Sequence, residues 1–285
     1  MNPITMKLVA DDLILQALRE DITFEDVSTA SVCPTARPAT VELIAKADGI
    51  IAGLDVFART FELLDPQSSV LLDVADGDEV HAGDHVGQVR GDARVLLSGE
   101  RVALNYLQRM SGIATYTHQM AAALEGTKTV LVDTRKTTPG MRVLDKMAVK
   151  IGGGENHRMG LFDMILLKDN HIDFAGGIRP AIEGVRRYLA AKGKTIPIEC
   201  EVRTLEDIDE VFAAGGVDRI MFDNFSPEMT RKAVEKVAGR CETESSGGIT
   251  LDTLRTYAET GVDFISVGAL THQIRSLDMS LKACE

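Results

Sequence analysis

From about residue 128, short apolar runs alternate with amphipathic segments, and this alternation constrains the fold of the 285-residue chain more than any other feature. The pattern is typical of parallel β-strands connected by helices. It predicts strands at 129–133, 163–168, 196–201, 219–223, 240–245 and 263–267. It also predicts helices at 204–214, 227–238 and 251–260.

Each predicted strand ends at a polar or small residue, namely Asp133, Lys168, Glu201, Asp223, Ser245 and Gly268. In a barrel of parallel strands these ends meet at one rim, where barrel enzymes hold their catalytic groups. Because six or seven strands are recognisable instead of eight, we predict an incomplete or irregular α/β barrel, with an open doubly wound sheet as the alternative. We expect Glu199 to point to the opposite face from Glu201, so that only Glu201 reaches the pocket.

The first 112 residues have a different pattern, in which short alternating segments such as 40–47 and 70–74 are separated by Gly/Asp turns. This pattern predicts hairpins with a few helices. Ser98 is a candidate N-cap for a helix whose apolar face carries Ala103, Leu104, Leu107 and Met110. Arg101 lies on its polar face, and spacing alone favours a solvated charge there.

Composition excludes several classes of function. The net charge of −12, the 5% aromatic content and the absence of Trp argue against nucleic-acid binding. No apolar run approaches the roughly 20 residues of a membrane span, and residues 1–5 do not begin a secretory signal, so we expect a cytosolic protein without a membrane partner. Four widely spaced cysteines form no metal-binding pattern and are expected to be reduced thiols.

Within this acidic chain, residues 133–172 gather arginine, lysine and histidine side chains beside glycines. Arginine offers a planar fork and lysine a point charge, so a mixed set suits a small ligand with several anionic groups. His157 could bind a carboxylate or move a proton, although a histidine in the core is the commoner case. Lys168 ends an apolar run and needs an anionic partner, either a substrate or a structural ion pair.

Two further groups have functional and structural interpretations. Glu201 and Asp223 suit Mg²⁺ or ribose hydroxyls, or else pair with Lys168 or Arg135. Ser246-Gly247-Gly248 follows a strand and precedes a helix, so its N–H groups could hold a phosphate, or it could be a plain turn.

The chain from about residue 98 to 272 closely resembles the quinolinate phosphoribosyltransferase family. The motifs that carry the resemblance are Asp133-Thr134-Arg135-Lys136-Thr137-Thr138-Pro139-Gly140, Asn156-His157-Arg158-Met159-Gly160-Leu161 after three glycines, Lys168-Asp169-Asn170-His171-Ile172, Glu100-Arg101-x-Ala103-Leu104-Asn105, Glu199-x-Glu201, Asp223-Asn224-Phe225, Ser246-Gly247-Gly248-Ile249 and Ser266-Val267-Gly268-Ala269-Leu270-Thr271-His272. The resemblance implies phosphoribosyl transfer from phosphoribosyl pyrophosphate to quinolinate, with Mg²⁺ and release of CO₂. It also implies an N-terminal α/β sandwich (1–112) joined by the tail 273–285, an incomplete α/β barrel (113–272), and a head-to-tail homodimer.

The resemblance assigns roles to individual residues. The residues implied to line the quinolinate pocket are Arg135, Lys136, His157, Arg158 and Lys168, with Arg101 reaching in from the partner subunit. Those implied to contact the phosphoribosyl donor are Lys136, Lys168, Glu201 and Asp223, the last two also facing Mg²⁺, and Ser246, Gly247, Gly248 and Gly268 at the 5′-phosphate. Thr134 and Ser266 complete the predicted substrate-binding set. Lys136, Lys168, Glu201 and Asp223 are the predicted catalytic residues.

Three other functions remain open at this stage. A related transferase acting on another base would release pyrophosphate without CO₂. A lyase could form a Schiff base at Lys168, and a non-catalytic protein could merely bind phosphorylated metabolites.

Overall fold

The structure is a computed structural model that describes residues 3–284. The chain forms two compact units. The first unit contains the residues up to His118 together with Thr137–Gly153 and those from Leu270 on, and the second contains Gln119–Lys136 and Gly154–Ala269. The domain limits predicted at residues 112 and 272 remain a prediction.

The helices of the described chain are α1 (Pro3–Thr5), a π-helical turn (Met6–Ala10), α2 (Asp11–Ile22), α3 (Val27–Val32), α4 (Leu54–Leu64), α5 (Ala93–Ala122), α6 (Arg142–Ile151), α7 (Asp169–Ala175), α8 (Ile178–Lys192), α9 (Leu205–Ala214), α10 (Pro227–Val237), α11 (Leu251–Ala258) and α12 (Ala269–His272). Among them, none has the length and apolar character needed to cross a membrane.

The strands are β1 (Pro38–Ala45), β2 (Gly49–Ile50), β3 (Ser69–Leu72), β4 (Glu79–Val80), β5 (His85–Asp92), β6 (Val130–Val132), β7 (Ile165–Leu167), β8 (Ile198–Val202), β9 (Arg219–Asp223), β10 (Glu242–Ser246), β11 (Phe264–Ser266) and β12 (Met279–Ala283). Each of the six strands predicted after residue 128 is present, with ends displaced by up to two residues.

The first unit contains a four-stranded antiparallel sheet in the order β12-β1-β5-β3. The C-terminal strand β12 pairs with β1, which places the tail of the chain in this sheet. Leu43 and Ala45 of β1 and Val86 and Val89 of β5 are fully buried. They belong to a core that also includes Phe57 and Phe61 of α4, whose rings meet edge to face.

One boundary predicted in this unit is wrong. Helix α5 begins at Ala93 and not near Ser98, so Ser98 lies inside the helix, where its hydroxyl donates to Asp26. Tertiary contacts therefore extend this helix past the residue that looks like its cap. The predicted apolar face is confirmed, since Ala103, Leu104, Leu107 and Met110 are all buried.

The second unit contains six parallel strands in the order β6-β11-β10-β9-β8-β7. Within the described residues, the first and last strands of this order do not pair with each other, so the predicted incomplete barrel is confirmed. Paired residues of parallel strands project to the same face. Ser246 is aligned with Asp223 and with Ser266, whereas Glu199 is aligned with Arg219, four residues before Asp223 in β9.

Candidate active site

A cavity of about 450 Å³ lies at the C-terminal ends of the six parallel strands. Its lining contains four cationic residues (Arg135, Lys136, Arg158 and Lys168), three acidic ones (Glu201, Asp223 and Glu244), and Thr134, His157, Leu166, Met221, Asn224, Ser246, Gly247, Gly248 and Ser266. The structure therefore brings twelve residues predicted to bind substrate into one cavity in the second unit.

The cationic side of the cavity has an excess of positive charge. Burial lowers the pKa of Arg158, and the charge of Arg135 lowers it further. Arg135 Nε is buried and, in the part of the chain that the structure describes, makes no hydrogen bond. Lys168 is half-exposed and lies 3.8 Å from Glu201. Because a buried guanidinium N–H is costly to leave unmatched, these groups favour an anionic ligand.

The opposite wall carries Glu201 and Asp223. Burial raises the pKa of Glu201, and the charge of Asp223 raises it further, so these carboxylates repel each other. Asn224 adopts a left-handed conformation (φ 57°) and its amide donates to Asp223 at 2.8 Å. Two neighbouring carboxylates are ligands that Mg²⁺ prefers, and a cation between them would relieve their repulsion. The donor set thus fits the predicted metal.

The loop after β10 approaches Asn224 closely. The Asn224 N–H donates to Ser246 O at 2.8 Å, and Gly247 has φ +103°. A Cβ at Gly247 would collide with the Asn224 side chain, so only glycine fits without displacing its neighbour. Helix α11 begins just beyond, at Leu251. Free N–H groups of such a loop and of a helix N-terminus suit a phosphate.

At the bottom of the cavity, His157 contacts two buried glutamates. His157 Nε2 lies 3.0 Å from Glu199 Oε2 and 3.2 Å from Glu244 Oε2, and both glutamates are 0% exposed. Arg219 lies 3.0 Å from Glu244, and its guanidinium stacks on Phe264 at 3.6 Å. Buried charged groups require partners of opposite charge or hydrogen-bonding partners, and the groups of this cluster serve as partners for each other.

Two features of His157 act in opposite directions on its charge. Burial lowers the pKa of His157, but its interactions with Glu199 and Glu244 outweigh burial and raise the pKa to about 9. Nδ1, however, accepts the Arg158 N–H at 2.8 Å. Because a protonated Nδ1 cannot accept a hydrogen bond, this contact requires a neutral ring with its proton on Nε2. We therefore assign the neutral form.

The two glutamates differ in their surroundings. Burial opposes ionisation of Glu244, but its hydrogen bond with His157 and the charge of Arg219 lower its pKa. Burial and the charge of Glu244 instead raise the pKa of Glu199. Arg219 is thus the cation that compensates Glu244 at this depth, whereas burial favours the uncharged form of Glu199.

The expectation that Glu199 and Glu201 point to opposite faces is wrong, although only Glu201 lines the cavity. Residues two apart in a strand project to the same side, so Glu199 lies beneath Glu201 and reaches His157. Asp133 was expected at the rim but is fully buried, and its Oδ1 accepts the His157 N–H at 2.9 Å. Glu244 and Arg219 were not identified from the sequence. The available signal was the spacing of Glu242, Glu244 and Ser246 on one face of a predicted strand.

Two predicted residues lie outside the cavity. Gly268 belongs to the second unit but does not line it. Arg101 is exposed on α5 and lines another cavity of about 350 Å³ within the first unit, beside Asn105, Tyr106 and Arg109. The triplet Gly152–Gly154 does not line the candidate site either, since Gly152 ends α6 and packs against Ala114 of α5.

Comparison with known proteins accounts for both parts of the chain. Family models described as "Quinolinate phosphoribosyl transferase, N-terminal domain" and "C-terminal domain" match residues 21–111 and 113–282. The chain belongs to the quinolinate phosphoribosyltransferase family.

Two relatives illustrate the range of this family. A chloroplastic nicotinate-nucleotide pyrophosphorylase (carboxylating) from Oryza sativa is 45% identical over 90% of this chain and 72% of its own length.

A probable nicotinate-nucleotide pyrophosphorylase (carboxylating) from Bacillus subtilis is 42% identical over 99% of this chain and 94% of its own. The crystal structure of NadC from Streptococcus pyogenes superposes with a TM-score of 0.92, at 41% identity, over 100% of this chain and 99% of that chain. Membership of the quinolinate phosphoribosyltransferase family therefore rests on the whole chain and not on the site motifs alone.

Proposed function

We propose that this protein transfers the phosphoribosyl group of phosphoribosyl pyrophosphate to quinolinate, giving nicotinate mononucleotide, CO₂ and pyrophosphate in NAD biosynthesis. The observation that carries this proposal is the cavity in which four cationic residues face a pair of carboxylates. A dicarboxylate and a polyphosphate repel each other, and preorganised cations in a partly desolvated cavity offset that repulsion.

Quinolinate carries two adjacent carboxylates, which suit the forked guanidinium groups of Arg135 and Arg158. The unmatched, buried Arg135 Nε supports this placement. Lys168, half-exposed at the end of β7, supplies a further charge between the acceptor and the donor.

The donor would occupy the other part of the cavity. Its 5′-phosphate fits the loop Ser246–Gly248, with Ser266 at the end of the neighbouring strand β11. Lys136 and Thr134, which follow β6, would contact the pyrophosphate. Glu201 and Asp223 would hold the ribose hydroxyls and Mg²⁺, the cofactor that we propose. When bound, Mg²⁺ would neutralise charge on the departing pyrophosphate.

The reaction needs no protein nucleophile. The bond between ribose C1′ and pyrophosphate breaks, and the pyridine nitrogen donates its electron pair to the resulting oxocarbenium-like centre. The acids at the rim hold the ribose so that these atoms face each other. The ring nitrogen is then cationic, so the adjacent C2 carboxylate can leave as CO₂ while the positive charge stabilises the electron pair left at C2. A proton at C2 completes nicotinate mononucleotide.

A stoichiometric assay tests this function. Purified protein with quinolinate labelled at the C2 carboxylate, phosphoribosyl pyrophosphate and Mg²⁺ should release labelled CO₂ and pyrophosphate in equal amounts. Pyrophosphate without CO₂ would indicate another base as the acceptor. Omission of Mg²⁺ in the presence of a chelator should stop both products, and undiminished turnover would exclude the metal.

We also propose a homodimer in which Arg101 reaches the cavity of the partner subunit. Arg101 is exposed on α5 and is not part of the cavity formed by its own second unit. A dicarboxylate beside Arg135 and Arg158 can accept a third guanidinium without leaving a charge unmatched.

The four cysteines are free, which suits the reducing cytosol that we propose as the location of the protein.

Subunit mixing tests the shared site. Arg101→Ala and Lys136→Ala proteins should each be inactive, because each lacks one cation of every site. In an equal mixture, half of the dimers are hybrids with one intact site, so about a quarter of wild-type activity should return. Sedimentation with differently tagged subunits would verify exchange. No recovery after verified exchange would show that Arg101 acts within its own subunit or not at all.

A further inference from the structure

The contacts of His157 raise the question of what this residue does in the site. One ring nitrogen accepts the backbone N–H of Arg158, and the other lies between two fully buried glutamates. The His157 ring therefore lies between the two buried glutamates and the backbone of Arg158. A residue held at both ring nitrogens is fixed in orientation and tautomer.

We propose that Glu244 is a positioning residue for the quinolinate site: it holds the His157 ring with its proton on Nε2, so that Nδ1 receives the Arg158 N–H and sets the place of Arg158. This inference rests on the proposed function for the identity of the ligand. It gives Glu244 no contact with the reacting atoms, because the residue is fully buried and its Oε2 lies within 3.2 Å of both His157 Nε2 and Arg219.

Glu244 is itself fixed by the neighbouring strands. Arg219 of β9 lies 3.0 Å from Glu244 and 2.9 Å from Glu242, and it stacks on Phe264 of β11. Three adjacent strands thus determine where the Glu244 carboxylate lies. Such rigid support is what a binding group needs, because small displacements of a charged hydrogen-bond donor weaken a bidentate contact strongly.

His157, Glu199 and Glu244 also offer three ligand atoms of the kind that could surround a metal ion. The guanidinium of Arg219 already compensates Glu244, and Arg158 stands close to His157 in the same unit. An added divalent cation would be repelled by both groups. The arrangement is therefore better suited to orient the imidazole than to bind a metal.

Steady-state kinetics of Glu244→Gln tests the proposal, with Glu242→Gln as the matched control. Glu242 contacts the same arginine, at 2.9 Å, but its side chain is exposed. Glu244→Gln should raise KM for quinolinate about tenfold or more, with KM for phosphoribosyl pyrophosphate changed less than about twofold. Glu242→Gln should leave both constants near wild type.

Double substitution separates positioning from general weakening. If Glu244 acts through His157, then His157→Ala should cost much less in quinolinate KM in the Glu244→Gln background than in wild type. Glu244→Asp, which keeps the charge, should recover part of the loss. Equal effects on both substrates, or full additivity of the two substitutions, would overturn the proposal.

A spectroscopic measurement reads the protonation of the His157 ring in the wild-type protein. Nitrogen-15 histidine spectra of the wild-type protein at pH 7, with the His157 signals identified by their absence in His157→Asn, should show a neutral ring protonated at Nε2. A doubly protonated ring, or a metal ion that copurifies and is lost in Glu244→Gln, would contradict the proposal. Failure of wild-type protein to use quinolinate would instead contradict the proposed function, while the ring state would still decide the role of Glu244.

Discussion

The six parallel strands carry two layers of polar residues that differ in how their charges are matched. At the rim, Lys168 lies 3.8 Å from its nearest acid, and Glu201 and Asp223 repel each other. The lower layer is the group around the fully buried Glu244, which lies 3.0 Å from Arg219 and 3.2 Å from His157. The charges of the lower layer are paired with other groups of the protein. The charges of the upper layer are poorly paired and are suited to charged groups of a ligand.

This difference shows why charge alone does not identify a binding residue. Glu199 and Glu201 are of the same type, on the same strand and on the same face, yet only Glu201 lines the cavity. What distinguishes them is depth and the partners available at that depth. Substitutions in the upper layer should therefore affect turnover with little loss of stability, and those in the lower layer should reduce stability.

The largest effect is expected for Lys168→Ala in the upper layer. Loss of a cation that we propose to contact both anionic substrates should lower kcat/KM about a thousandfold, or roughly 4 kcal/mol of transition-state stabilisation. The thermal midpoint should change little because the side chain is half-exposed and its ion pair is long.

Lys232→Ala is the matched control, because Lys232 pairs with Glu228 on the surface of α10, away from the cavity. Its kinetics should equal wild type. A large drop in thermal stability with Lys168→Ala would instead show that this lysine belongs with the compensated layer.

A somewhat smaller effect, on stability, is expected for Arg219→Met in the lower layer. Removal of one partner leaves Glu244 as an uncompensated buried charge, which should cost about 3 kcal/mol of the free energy of unfolding, measured with urea. Replacing both residues, as in Arg219→Met with Glu244→Leu, should recover much of this loss. If Arg219→Met unfolds at the wild-type urea concentration, the two layers do not differ as described.

The smallest effect is expected at the loop after β10, where Gly247→Ala and Gly248→Ala form a matched pair. Both glycines have positive φ, but only a Cβ at Gly247 meets neighbouring atoms, those of Asn224. Gly247→Ala should raise KM for phosphoribosyl pyrophosphate about tenfold, and Gly248→Ala should show mainly the backbone strain of about 1 kcal/mol. Equal kinetic effects would show that the close approach to Asn224 does not shape the phosphate site.

The sequence predicted the upper layer better than the lower one for a physical reason. Strand ends are recognisable from alternation and turn residues, and in parallel strands they converge, so Lys168, Glu201, Asp223 and Ser246 could be placed together without coordinates. The partners of buried charges depend on register and depth, which the sequence does not give. Arg219 and Glu244 are 25 residues apart in the chain and become neighbours only when β9 and β10 pair.

A structure of the protein with bound quinolinate tests the distinction between the two layers most directly. We predict that the two carboxylates of quinolinate lie within hydrogen-bonding distance of at least two of Arg135, Arg158 and Lys168, while Glu244 stays paired with Arg219. Quinolinate bound away from these cations, or a Glu244 that has left Arg219 to contact the ligand, would contradict the account.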